Sequence, residues 1–237
     1  MTYTTKEHMT TTTDIKLSKE TLGVLKNFST LNSNILIKPG NIIKTITPSK
    51  NGMAEAVINE TFDATFGIWD LNKFLGVLSL FSNPSLEFGE KFVLIRSPSG
   101  SCVKYFYSEP KLLTVPTKSI NMPEVAVSFS ITEKMFIDLQ KASAVMQLPD
   151  ISFVNEDNRV SALISDLQDP TTNNYKIEVG ETKSDATFSL NFKIENLKIL
   201  PGDYDIDLAK NVVGKFTNKN VDLKYWFAME TSSTFSS

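Results

Sequence analysis

Lys19 and Lys26 stand seven residues apart, as do Lys134 and Lys141. Seven residues are close to two α-helical turns, so each pair shares one helix face. Lys16 flanks the first of these pairs, and Lys73, Lys193 and Lys198 fall on or beside the other segments with helical signals. Arg96 and Arg159 are the only arginines. Lysine is a hydrated point charge on a flexible stem, whereas arginine offers a rigid fork for bidentate base contacts. If a nucleic acid is the partner, these residues suit loose phosphate contact and not sequence readout. The formal net charge of −3 gives no overall basic signature.

The rest of the reactive inventory is sparse. His8 is the only histidine and lies in the Thr-rich start of the chain. Beyond it, no histidine can serve as a general base, a triad member or a zinc ligand. Cys102 is the only cysteine, which excludes an intrachain disulfide or a cysteine metal cluster and fits a reducing compartment. No paired acid motif can be localised. The chain is therefore expected not to be an enzyme and to need no metal or other cofactor.

The elements that must position the lysines follow from periodicity. With 237 residues and 41% hydrophobic content, the chain can form one large domain or two of roughly 110 residues. No apolar run is long enough for a membrane span. Met1–Asp14 has no apolar core, so it reads as a flexible tail and not a signal peptide. Ser18 can cap a helix to about Leu31, with Leu17, Val24, Leu25, Phe28 and Leu31 on one face. Strands are expected near 34–38, 41–47, 54–58 and 62–68. Asp70 opens a short helix to about Phe81, with Leu71, Phe74, Leu75 and Leu78 as its buried stripe and Lys73 opposite. Strands near 85–90, 91–97 and 101–107 follow.

Residues 108–124 carry Pro110, Pro116 and Pro123 without helical period and read as a linker. After a strand at 125–131, Thr132 caps a helix to about Met146, with Met135, Phe136, Leu139, Ala142 and Met146 inward. Strands at 151–155, 159–165, 175–179 and 187–192 come next. A helix of one or two turns is expected near 193–200, ending at Pro201-Gly202. Strands at 204–209, 212–217 and 221–229 close the unit, and 232–237 form a C-terminal tail.

The order of elements occurs twice. Lys104 and Lys224 are 120 residues apart in matching strands, Ser18 and Thr132 are 114 apart, and Asp70 and Glu195 are 125 apart. Offsets this close fit two copies of one α+β unit, residues 15–107 and 125–231, each with two helices on antiparallel sheets. Rotational repetition of that kind suits a ring or an extended surface.

Lys16-Leu17-Ser18-Lys19-Glu20-Thr21 through Leu25-Lys26-Asn27-Phe28, and Trp69-Asp70-Leu71-Asn72-Lys73-Phe74-Leu75-Gly76-Val77-Leu78-Ser79-Leu80, resemble the sliding clamps of T-even-type bacteriophages. Leu200-Pro201-Gly202-Asp203-Tyr204 resembles a turn of the same family, and Leu223-Lys224-Tyr225-Trp226-Phe227-Ala228 the last strand of cellular clamps. The resemblance covers about Ile15–Thr231; the Thr-rich start departs from it. It implies the DNA-clamp fold in a head-to-tail homotrimeric ring around duplex DNA. It implies loading by an ATP-driven clamp loader and docking of DNA polymerase tails and late-transcription factors, in the cytoplasm of an infected bacterium. It further implies a partner pocket at Leu112, Val115, Trp226, Ala228 and Met229. Subunits would join through Lys104, Phe106, Tyr175, Ile177 and Glu178, with Lys104 facing Glu178 of a neighbour.

Twelve helices spaced by about 9–10 Å would ring a circle of axes roughly 35–38 Å across. Subtracting roughly 10–12 Å of helix thickness leaves about 25 Å, enough for a duplex and water. Lysines opposite an apolar stripe are also what any solvated helix presents. Recurrence on four helices, together with the resemblance, turns Lys16, Lys19, Lys26, Lys73, Lys134, Lys141, Lys193 and Lys198 into expected DNA-facing groups. Two rivals are a β-rich structural virion protein and a carboxylate-based enzyme such as a glycosidase.

Overall fold

The computed structural model describes residues 14–156, 158–182, 186–210 and 212–236. Residues 1–13 of the expected N-terminal tail lie outside them. The chain divides into two compact units. One comprises the residues up to Pro48 with Glu55–Thr117, the other Ser49–Ala54 with Lys118 onward.

In the first unit the order is α1 (Lys19–Leu31), β1 (Ile35–Ile37), β2 (Gly40–Ile46), β3 (Gly52–Phe62, whose first residues belong to the second unit), β4 (Phe66–Ile68), α2 (Leu71–Ser79), β5 (Ser85–Phe88), β6 (Phe92–Arg96) and β7 (Cys102–Phe106). The segments expected at 54–58 and 62–68 differ from this: one long strand ends at Phe62 and a short one follows. β1 pairs antiparallel with β4, and β5, β6 and β7 form an antiparallel meander with β7 at its edge.

Side-chain caps explain where the helices begin. Ser18 Oγ accepts the Thr21 amide at 3.1 Å, and Asp70 Oδ1 accepts the Lys73 amide at 2.9 Å. The Glu60 carboxylate also accepts from the Ser18 amide and the Thr21 hydroxyl, tying the start of α1 to β3. Val24, Leu25 and Phe28 of α1 and Leu71, Phe74 and Leu78 of α2 are buried. Burying a side chain of this size contributes about 1.5–3 kcal/mol, so the apolar stripe fixes which face turns outward.

The second unit contains β8 (Val125–Ile131), α3 (Glu133–Met146), β9 (Asp150–Glu156), β10 (Arg159–Ser165), β11 (Tyr175–Glu181), β12 (Thr187–Lys193), β13 (Tyr204–Ala209), β14 (Val213–Asn218), β15 (Leu223–Ala228) and β16 (Thr234–Ser236). One antiparallel sheet has the order β11-β10-β9-β12-β16; in the other, β15, β14, β13 and β8 are successive neighbours. The rings of Phe153, Phe192, Phe216 and Phe227 run from one sheet to the other, with successive centroids 6.1, 6.0 and 5.6 Å apart. Edge-to-face packing of this kind adds to the burial energy.

Two further expectations about elements change. The helix expected near 193–200 is a single 3₁₀ turn, Ile194–Asn196, so the described residues hold three α-helices and not four. The reason is local. Lys193 stands where Ser18, Asp70 and Thr132 stand in the true helices and makes no side-chain cap bond. Pro201-Gly202 then leaves little room to propagate a helix. The twelve-helix ring estimate loses its fourth helix per chain accordingly. Second, the stretch read as a polar C-terminal tail is partly structured. Thr234–Ser236 pairs along β12, and Phe235 stacks on Phe188 with centroids 5.9 Å apart.

Candidate nucleic-acid interface and docking elements

The outward face of each helix carries lysine. In α1, Lys19 and Lys26 are exposed, opposite the buried Val24, Leu25 and Phe28. In α2, Lys73 is exposed, opposite Leu71, Phe74, Leu75 and Leu78. In α3, Lys134 and Lys141 are exposed, opposite Phe136 and Leu139. Lys16 is exposed just ahead of the α1 cap, and Lys198 just after the 3₁₀ turn.

The α3 face is less basic than its lysines alone suggest. Lys134 Nζ donates to Asp138 Oδ2 at 2.6 Å, which raises the lysine pKa and lowers that of the aspartate. Ile137 and Val145 share this outward side, Val145 at 83% exposure. Sequence reading missed both, although their positions on the helical wheel beside Lys141 were available. Lys193, also expected to face DNA, has a buried partner within the chain. Its Nζ lies 2.5 Å from Asp150 Oδ1, and Asp150 is fully buried. This pairing raises the Lys193 pKa and turns its ammonium toward the protein.

The expected docking residues fall in both units. Leu112, in the 3₁₀ turn Pro110–Leu112, is 60% exposed, and Val115 is half-buried. Between them Leu113 is buried. The linker read as irregular is therefore anchored over its first half. The Ser108 amide donates to the Gly67 carbonyl at 2.9 Å, and the Thr114 amide donates to Asn34 Oδ1 at 2.9 Å. In the second unit Trp226 is only 7% exposed, whereas Ala228 is exposed and Met229 half-buried. Trp226 is thus enclosed in the free chain and not an open platform.

The expected joining residues lie on edge strands. β7 ends its sheet beside β6, and β11 ends its sheet beside β10. An edge strand offers unpaired backbone groups to another chain. Phe106 is 64% exposed, and its ring meets Phe92 edge-on at 6.0 Å. Tyr175 and Ile177 are half-buried, while Lys104 and Glu178 are exposed. Both charged groups have partners within the chain: Lys104 Nζ sits 3.8 Å from the Phe92 ring centroid, and Glu178 accepts from Arg159 at 3.0 Å. Among the described residues, no cluster of His, Cys, Asp and Glu could hold a metal ion, and no helix is long and apolar enough to cross a membrane.

This architecture is that of the clamp proteins. A. fulgidus PCNA, in its structure with the C-terminal region of FEN-1 bound, superposes with a TM-score of 0.69 at 15% identity, covering 93% of this chain and 99% of that one. PCNA from Thermococcus kodakaraensis gives 0.68 at 12% identity, covering 92% and 99%. At those identities the likeness concerns the fold alone. Residues 18–87 match the family described as DNA polymerase processivity factor, and residues 129–231 match the C-terminal domain of the gp45 sliding clamp. The sliding clamp of Enterobacteria phage T4 is 31% identical over 228 residues, 93% of this chain and 99% of that protein. That of Vibrio phage KVP40 is 30% identical over 221 residues, 91% and 99%. The chain belongs to the family of bacteriophage sliding clamps.

Proposed function

We propose that this protein is a DNA sliding clamp, the processivity factor of a phage DNA polymerase. Three copies close head-to-tail, β7 of one pairing with β11 of the next. The ring encircles duplex DNA and holds the polymerase to it. Its action is topological and not catalytic. An ATP-driven loader places it on DNA in the infected host's cytoplasm, and late-transcription factors use the same ring. A reading as a virion structural protein has no support among its relatives, which are clamps.

The observation that carries the DNA reading is the exposure of Lys19, Lys26, Lys73, Lys134 and Lys141 opposite the buried stripes of α1, α2 and α3. Hydrated ammonium groups attract phosphate without fixing register, and that suits movement along a duplex. Lys134 and its Asp138 partner moderate the attraction. An acidic exterior with a basic lining is compatible with the net charge of −3.

The test is topological. Loaded protein should stay on nicked circular DNA at moderate salt and leave once the circle is cut. Equal loss from both forms defeats the proposal.

A further inference from the structure

Thr114 belongs to no helix or strand, yet both of its backbone groups are bonded to side-chain amides. Its N–H donates to Asn34 Oδ1 at 2.9 Å, and its carbonyl accepts from Asn32 Nδ2 at 2.9 Å. The two asparagines are bound to each other and to the sheet. The Asn34 amide donates to Asn32 Oδ1 at 3.0 Å, and Asn32 Nδ2 also donates to the Ile46 carbonyl at 2.8 Å. Asn32 is the C-cap of α1, its own N–H donating to the Phe28 carbonyl. Exposure is 3% for Asn32 and 8% for Asn34, so water cannot readily take over their bonds.

This network ends on the strip of chain that carries the proposed docking residues. Leu113 is buried beside Thr114, while Leu112 and Val115 flank the fixed pair. A free loop would have to be ordered when a partner binds, and that ordering subtracts from affinity. Here the backbone at Thr114 is held before any partner arrives.

We propose that Asn32 and Asn34 are positioning residues for partner docking. They clamp the linker at Thr114 so that Leu112 and Val115 face an apolar-anchored polymerase tail in one conformation. The inference rests on the reading of Leu112 and Val115 as docking residues. It assigns the asparagines no contact with the partner. Releasing Thr114 lowers the fraction of chains able to bind, and the apparent dissociation constant rises in proportion.

The test uses the full-length protein and a fluorescent synthetic peptide copying the C-terminal tail of the phage's own DNA polymerase. Asn34→Ala should speed hydrogen exchange at the Thr114 amide and weaken peptide binding by about five- to thirty-fold. Asn34→Asp keeps an acceptor for that amide and should restore most of the affinity. Leu112→Ala should weaken binding without changing exchange at Thr114. If Leu112→Ala weakens binding, but Asn34→Ala frees the Thr114 amide with no loss of affinity, the positioning role is overturned and the docking reading stands. If Leu112→Ala has no effect, the docking reading falls and takes this inference with it. The wild-type protein supplies a check that needs no variant: open-chain exchange at its Thr114 amide overturns the proposal.

Discussion

Lys193 Nζ lies 2.5 Å from Oδ1 of Asp150, a side chain with no exposed surface. The other carboxylate oxygen accepts the Leu167 amide at 3.0 Å. Removing the ammonium would strand a buried negative charge, which typically destabilises by about 3–5 kcal/mol. Lys193→Met should therefore lower the urea midpoint strongly. Lys141→Ala, at an exposed helix position, should stay within about 0.5 kcal/mol of the parent. The same pair should separate the other way in function. Lys141→Ala weakens polymerase stimulation as salt rises, and Lys193→Met, assayed where it remains folded, does not. A salt response confined to Lys193→Met would return that lysine to the DNA-facing set.

Phe106 gives a test of the ring that leaves the core untouched. At 64% exposure it contributes little to the free chain beyond its contact with Phe92 and the Lys104 ammonium, 5.3 Å from its ring centroid. Phe106→Ala should leave thermal stability measured at low protein concentration nearly unchanged. If the proposed trimer forms through this edge, sedimentation should show its balance shifted toward monomer, because the edge strand that bears Phe106 loses its largest exposed apolar group. An unchanged trimer at low concentration would remove β7 from the proposed joint.

How much of this was legible in the chain depends on whether a local signal decided the outcome. The helices at α1, α2 and α3 begin at Ser18, Asp70 and Thr132, where a capping side chain precedes an apolar stripe. Their lysine faces follow from the same periodicity. The 3₁₀ turn at Ile194–Asn196 was misread because Ile194, Leu197 and Leu200 mimic a helical stripe while Lys193 supplies no cap. Its partner Asp150 lies 43 positions earlier and is brought alongside only by the β9–β12 register. The Asn32–Asn34–Thr114 network was invisible for the same reason: nothing near Thr114 in sequence announces bonds across 80 and 82 positions. Strand β16 was missed because Thr234–Ser236 is only three residues long, with Phe235 its single apolar residue, and its pairing depends on an edge that β12 presents only in the fold.

Gly67 reports on the anchored half of the linker. A Cβ at that position would stand 2.6 Å from the Ser108 carbonyl oxygen and 2.7 Å from Leu113 Cδ1. The first contact is with backbone that donates its own amide to the Gly67 carbonyl, so it cannot yield without breaking that bond. Gly67→Ala should destabilise the protein by about 1–3 kcal/mol through overpacking. It should also free Leu113, which would appear as faster hydrogen exchange at Ser108 and Thr114. A stable variant with protected amides at both positions would show that the segment is not held there.

Alkaline pH offers a different handle on the second unit. Burial pushes the Tyr204 hydroxyl up to about 12, although hydrogen bonds with Asn218 and Tyr225 offset part of the shift. The Tyr225 and Tyr107 hydroxyls are raised as well, mainly by burial. Tyr204 Oη donates to the Leu200 carbonyl at 2.6 Å, and Tyr225 Oη accepts the Leu200 amide at 2.9 Å, so the pair fixes the turn before β13. A phenol with a raised folded-state pKa binds its proton more tightly when folded. Its contribution is complete below the unfolded value near 10 and is lost as pH climbs toward the folded value. For Tyr204 alone the loss is on the order of 2–3 kcal/mol. Melting temperature should be flat from neutral pH to about 10 and then fall steeply, with tyrosinate absorbance rising in the same transition. Tyr204→Phe should start from a lower plateau and show a shallower decline. If the tyrosinate absorbance that Tyr204→Phe removes forms well below the unfolding transition, with the melting temperature unchanged, the Tyr204 hydroxyl is open to solvent in the folded chain.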